Sequence, residues 1–200
     1  MIELAAFLGN PGLRYADNRH NAAWLLCACL PFYGDLVWRK KFKGLYAERD
    51  VPLGRQRFLK PQTFMNLSGE SLEAAASFYK ISPENIIVIH DELELPLGTL
   101  SLKYSGGLGG HNGLRSIKAS LGTADFWRLR IGIGRPGDRL PGEGGPPGSG
   151  KGIYEWVLSD FSAAEKPALE SALSEGAALF VKALEGDPQK LLPEWAKKNT

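Results

Sequence analysis

The run Ile86-Ile87-Val88-Ile89 constrains this chain more than any other feature, because its four residues are all β-branched and apolar. A strand with no polar residue on either side of the pleat fits a position covered on both faces, as in the middle of a sheet with helices above and below. Ile2 to Leu8 is a second apolar run, interrupted only by Glu3, and it ends in the turn chemistry of Gly9-Asn10-Pro11-Gly12. Around these runs the pattern alternates between periods. Helical spacing runs from about Asn18 to Leu30, where Pro31 stops it, and Phe42–Arg49 and Gln56–Leu59 read as paired strands around a Pro52/Gly54 turn.

Ser68 is placed to cap a helix reaching Lys80, with Glu70 in its first turn. Thr99–Tyr104 and Trp127–Ile133 read as strands flanking a flexible Gly106–Gly110 loop and a helix over Leu114–Leu121. The Gly/Pro-rich stretch at about 136–152 is predicted to be an exposed, flexible loop. C-terminal helices over about 162–198 follow, the first opened by the Ser162-x-x-Glu165 capping box and running to about Glu185, the last opened by Asp187-Pro188. The predicted class is α/β, a single domain over residues 1–200 with a twisted mixed β-sheet flanked by helices.

Composition removes several alternatives. With 44% hydrophobic and 23% charged residues the chain lies in the ordinary globular range. Its longest apolar run, Ala22 to Phe32, is too short for the ~20 residues that span a bilayer. Met1-Ile2-Glu3-Leu4 lacks the basic leader of an export signal, so a cytoplasmic location is expected. Cys27 and Cys29 have no companion pair for a zinc site and read as buried small hydrophobes. A formal charge of only +2 means that any polyanion site must be a local patch.

The three histidines, His20, His90 and His111, each fall where a predicted element meets a turn, which is where open α/β sheets collect their sites. Asn10, Asn18, Asn21, Asn66, Asp91, Glu92 and Asn112 accompany them. A loop asparagine usually serves its own backbone, but amides recurring beside His or Met in several segments have another use. An uncharged amide can hold a carbonyl, donate to a developing oxyanion or orient water, which suits carbonyl hydrolysis. Gly145–Lys151 has phosphate-loop spacing, yet Gly152 stands where a magnesium-holding hydroxyl belongs and two prolines remove amides, so nucleotide binding is rejected.

The ordered motifs Leu8-Gly9-Asn10-Pro11-Gly12, Tyr15, Arg19-His20-Asn21, Lys60 through Gly69, His90-Asp91-Glu92-Leu93 and Gly109 through Ile117 resemble the bacterial-type peptidyl-tRNA hydrolase family. The resemblance covers the chain to about Gly137 and weakens beyond it to a Tyr154-x-Trp156-Val157-Leu158-Ser159 segment and a terminal helix. It implies the family's fold and hydrolysis of the ester joining a peptide to tRNA, recycling tRNA from stalled or prematurely released translation products. The implied partner is peptidyl-tRNA, with no cofactor and no metal, and a monomer by analogy.

By the same resemblance the catalytic group is His20, Asp91 and Asn10, with Asn10 holding the peptide's terminal residue or the product. Substrate and tRNA contacts map onto Tyr15, Phe64, Met65, Asn66, His111 and Asn112, and a clamp for the terminal phosphate onto Lys103 and Arg130. The residues support these roles independently. Imidazole, with an ordinary pKa of ~6.5, is suited to take a proton from water, and a carboxylate on its far nitrogen fixes the tautomer. Adjacent strand residues face opposite ways, so His90 and Glu92 are assigned supporting roles when Asp91 enters the site. Phe7, Asn18 and Ala23 stand where the family usually has Gly, Thr and Gly. Two rival readings are a non-catalytic RNA-binding relative of the same fold and a metal-dependent ester or amide hydrolase.

Overall fold

The all-apolar run does form the centre of a sheet. A computed structural model describes residues 1–52, 54–138 and 152–196. In chain order the elements are β1 (Leu4–Phe7), α1 (Ala22–Ala28), β2 (Arg39–Lys41), β3 (Gly44–Val51), β4 (Gly54–Pro61), α2 (Ser68–Tyr79) and β5 (Ile86–Glu92). These are followed by β6 (Leu100–Tyr104), α3 (Asn112–Leu121), β7 (Trp127–Gly132), α4 (Ile153–Val157), α5 (Lys166–Glu185) and α6 (Pro188–Trp195). The seven strands lie in the order β2-β3-β4-β1-β5-β7-β6. Those from β4 to β7 in that order are mutually parallel, while β2 and β3 on one side and β6 on the other add antiparallel edges.

Two-residue alternation divides the core between the faces. Ala5, Phe7, Ile87 and Ile89 pack with α1, α5 and α6, whereas Leu4, Ala6, Leu8, Ile86 and Val88 pack with α2 and α3. Because β1, β4 and β5 run parallel, their C-terminal ends share one edge, and α1 and α2 leave that region for opposite faces. Such a divergence opens a crevice beyond the strand ends.

Helices α2 and α3 approach closely enough that the chain needs Gly69, where a Cβ would overlap the Ser116 carbonyl. A backbone group cannot rotate aside as a side chain can. Gly69→Ala should therefore cost about 1–3 kcal/mol, read as a lower urea midpoint with an unchanged m-value.

Several local boundaries differ from the sequence reading. Ser68 is the first residue of α2 rather than its cap, and its Oγ donates to the Met65 carbonyl at 2.9 Å because a 3-10 turn over Met65–Leu67 leads straight into the helix. The spacing from Asn18 begins as a 3-10 turn, Arg19–Asn21, and α1 ends at Ala28. Arg39–Lys41 is an edge strand joined to β3 by Phe42 and Lys43 at φ 53° and 52°, a tight turn without the Gly or Asn that normally marks one. Only half of the Ser162/Glu165 box forms, the Ser162 N–H donating to Glu165 Oε2 at 2.7 Å, and α5 starts at Lys166. Cys27 is buried as expected but Cys29 is exposed. Of the predicted flexible loop, residues 139–151 lie outside the described residues, as do 197 and 198 of the predicted terminal helix. Among the described residues no helix is long and apolar enough to cross a membrane.

Candidate active site

A cleft of about 580 Å³ opens at the shared edge of β1, β4 and β5. The turn after β1 brings Asn10 and Tyr15, the 3-10 turn before α1 brings His20, and the segment after β4 brings Phe64, Met65 and Asn66. β5 delivers Asp91, and the glycine loop before α3 delivers His111 and Asn112. Nine of the predicted site residues thus line one cavity. Lys103 and Arg130 do not, since they stand on β6 and β7 at the edge of the sheet.

At the cleft floor one buried carboxylate serves two imidazoles. His20 Nδ1 lies 2.9 Å from both oxygens of Asp91, and His111 Nε2 lies 3.0 Å from Asp91 Oδ1. The backbone N–H of Gly113 donates to His111 Nδ1 at 3.1 Å, with Leu114 N–H more distant at 3.4 Å. An imidazole nitrogen that accepts carries no proton, so the proton of neutral His111 is on Nε2 and is donated to Asp91. His20 likewise gives Nδ1–H to Asp91, which leaves its Nε2 for the cleft. A Cβ at Gly113 would come 2.6 Å from Met65 Sδ and 2.8 Å from Leu8 Cδ1, so a larger residue there would push both side chains aside.

The electrostatics follow from this arrangement. Burial alone would lower the His20 pKa, but the Asp91 charge and its hydrogen bond outweigh it and hold His20 above its ordinary 6.5. Burial works against Asp91 ionisation too, yet the two imidazoles hold its carboxyl well below the usual carboxylate range. His90 is the neighbour that turns away. It is fully buried, its Nδ1 is 2.7 Å from the Asp91 carbonyl, and burial followed by His111 keeps it neutral.

Asn10 is oriented by three bonds. Its N–H donates to Asn21 Oδ1 at 2.8 Å, its carbonyl accepts from Asn21 Nδ2 at 3.1 Å, and its Oδ1 accepts from the Met65 N–H at 2.9 Å. With the side-chain oxygen engaged, the amide presents Nδ2 donors to the cleft, which suits a carbonyl or carboxylate. Phe7 packs edge-on against Phe180, centroids 5.3 Å apart, so the core on the α1–α5 side accommodates its bulk and the cleft does not.

Lys103 and Arg130 form a cationic group with Arg128. Arg130 Nε meets Glu92 Oε2 at 3.1 Å, and Glu92 in turn lines the cleft. Burial and then the charges of Arg128 and Arg130 lower the Lys103 pKa, which marks a local excess of positive charge. The sequence reading missed the part of the cleft lining formed by Ile153, Tyr154, Val157 and Leu158, together with Arg14. The aromatic-rich segment after the Gly/Pro stretch was the available signal, but nothing local connects it to His20.

His20, Asp91 and His111 could also be read as a metal-ligand set, their donor atoms lying within 4.8 Å of one another. His111 argues against it, because the nitrogen facing the others carries the proton that its backbone contacts impose. A mixed α/β sheet carrying an imidazole backed by a carboxylate among amides defines the class of hydrolytic enzymes that can activate water. The peptidyl-tRNA hydrolase family model matches residues 4–200. Peptidyl-tRNA hydrolases of Desulfitobacterium hafniense and Treponema pallidum are 47% and 46% identical, covering 88% and 98% of this chain and 89% and 96% of their own. The crystal structure of peptidyl-tRNA hydrolase from Acinetobacter baumannii superposes with a TM-score of 0.80 at 33% identity, covering 99% of this chain and 94% of its own. This chain belongs to the peptidyl-tRNA hydrolase family.

Proposed function

We propose that this chain hydrolyses the ester between a peptide and the terminal ribose of tRNA, with water as the nucleophile. His20 Nε2 takes a proton from water, whose oxygen attacks the ester carbonyl carbon. As the ester C–O bond breaks, the departing ribose hydroxyl recovers a proton from the imidazolium. Asp91 stabilises that imidazolium and holds the tautomer, while His111 occupies the carboxylate's other side. Asn10, Asn66 and Asn112 supply donors for the carbonyl oxygen and the product carboxylate, where one well-aimed donor is worth about 10²–10³ in rate. The observation that carries this reading is a single imidazole whose inner nitrogen is fixed by Asp91 and whose outer nitrogen opens on an amide-lined cleft.

Tyr15, Phe64 and Met65 offer surface for the acceptor end and the peptide, with Met65 packing rather than reacting. Lys103 and Arg130 are assigned to the terminal phosphate of the tRNA. Lys103→Ala is expected to raise KM at low salt, with the defect shrinking as salt rises and the salt slope falling by ~0.7–0.9. A defect independent of salt would remove Lys103 from the phosphate site.

The deciding assay is peptide release from an N-blocked aminoacyl-tRNA with chelator present. Full turnover in chelator is the expected result, and loss restored by a divalent ion would favour a metal-dependent mechanism instead. The same reading places the enzyme in the cytoplasm as a monomer, the latter checked by its sedimentation behaviour.

A further inference from the structure

The wall of the cleft formed by Ile153, Tyr154, Val157 and Leu158 packs on the core through Val157 and Phe161, and its polar ties include several to the two residues before His20. Arg19 is 3% exposed, and its Nη2 reaches both oxygens of Glu165 at 2.6 Å. Its Nη1 donates to Ser159 Oγ at 2.9 Å, to the Asp160 carbonyl at 2.5 Å and to the Ser159 carbonyl at 3.2 Å. The guanidinium carbon lies 3.8 Å from the centroid of Trp156 and 5.0 Å from that of Phe161. Asn18, also buried, donates from Nδ2 to the Leu158 carbonyl at 2.5 Å and to Asp160 Oδ1 at 2.8 Å. The Arg19 N–H adds a backbone bond to the Ser159 carbonyl at 3.1 Å.

This is far more than a solvated arginine needs. A planar guanidinium satisfies a carboxylate, two carbonyls and an aromatic face together only if all of them stay in one arrangement. A buried ion pair is weak as a source of stability, and fixing a unique geometry is the better explanation for keeping one. The residue so fixed is adjacent to the imidazole, and the segment it holds lines the same cleft as the amides. At position 18 the chain has an amide that bonds two groups of that segment from one nitrogen, a double contact that the single proton of the threonine usual in the family does not provide.

We propose that Arg19 and Asn18 are positioning residues that lock the 153–161 wall to the 3-10 turn carrying His20, so that a peptide seated on the wall is held in register with the base. The proposal rests on the hydrolase reading, so its test includes a measurement independent of turnover. The titratable and charged groups facing this end of the cleft are Asp91, His111, Glu92, Arg14, Tyr15 and Tyr154, with His90 behind His111 and Arg19, Asp160 and Glu165 at the wall. Arg19→Lys and Asn18→Thr change no charge among them, whereas Glu165→Gln removes the one paired with Arg19.

With only three histidines in the chain, imidazole NMR can follow His20 directly. Arg19→Lys keeps the charge but loses the fork. We expect the His20 pKa to fall, as its contact with Asp91 loosens, and kcat to drop about 10–100-fold at temperatures far below melting. Glu165→Gln, which preserves shape, should move both in the same direction by less, and it replaces Arg19→Lys should that variant not fold. Asn18→Thr should raise KM roughly 3–10-fold with the His20 pKa unchanged. Lower melting temperatures with an unaltered His20 titration, kcat and KM would reduce both residues to ordinary structural contacts and overturn the proposal. A shifted His20 titration in a protein whose wild type releases no peptide would instead overturn the hydrolase reading and leave the positioning role standing.

Discussion

Replacing His20 with alanine should reduce peptide release from peptidyl-tRNA by about 10²–10⁴-fold while leaving KM within a few-fold of wild type. The reason is positional. His20 Nδ1 is occupied by Asp91 at 2.9 Å, so Nε2 is the basic atom turned toward the cleft, and no other imidazole can replace it. His111 has its Nε2 proton committed to Asp91 and its Nδ1 committed to the Gly113 N–H, and His90 is sealed in the core. A base must be unprotonated to act, and the His20 pKa is raised above 6.5. Wild-type kcat/KM should therefore rise with pH along an acid limb centred above 6.5. Turnover by His20→Ala equal to wild type, under single-turnover conditions that isolate chemistry, would end the general-base assignment.

The second large effect is expected for Asp91→Asn, again about 10²–10⁴-fold in kcat. An introduced amide can donate a proton to His20 Nδ1, which would place the imidazole proton on Nε2, the atom that has to receive one from water. The pH profile then supplies a separate sign. Asp91 is what raises the His20 pKa against the opposing effect of burial, so removing its charge should let the acid limb move below 6.5 even as the plateau falls. A plateau that falls with a stationary limb would mean that Asp91 acts on folding or binding and not through the imidazole. Asp91→Ala distinguishes misdirected hydrogen bonding from lost charge, because it shifts the limb without supplying the wrong donor.

Both variants leave the sheet intact in principle, but the position of Asp91 makes the comparison demanding. It is buried on β5 between two imidazoles, and Asp91→Ala strands the Nε2–H of His111, whereas the oxygen of Asp91→Asn can still accept it. An unsatisfied buried donor costs about 1–3 kcal/mol. Thermal or urea midpoints should accompany the kinetics, so that a reduced folded fraction is not counted as reduced chemistry.

The central strand and the strand ending in the Asn10 turn were legible because hydrophobic periodicity is a local property, and Ile86–Ile89 and Ile2–Leu8 carry it with almost no interruption. The pleat also told that only one of His90 and Asp91 enters the cleft directly, and the family resemblance told that it is Asp91. The amide and imidazole motifs marked the three strand ends that the fold then brings together. Packing over long sequence separations decided the rest. The family resemblance assigns Arg130 to the tRNA phosphate, but only the register of β7 beside β5 turns it onto Glu92. His111 was a histidine before a helix until its ring nitrogen met the Gly113 N–H and its tautomer became fixed. The 153–161 wall reaches His20 through partners about 140 residues apart, Arg19 with Glu165 and Asn18 with Leu158, and no window of sequence registers a pairing of that span. Local chemistry determined which groups were available, while chain topology determined which groups face each other, because distance in space is set by the sheet order and not by the order of residues.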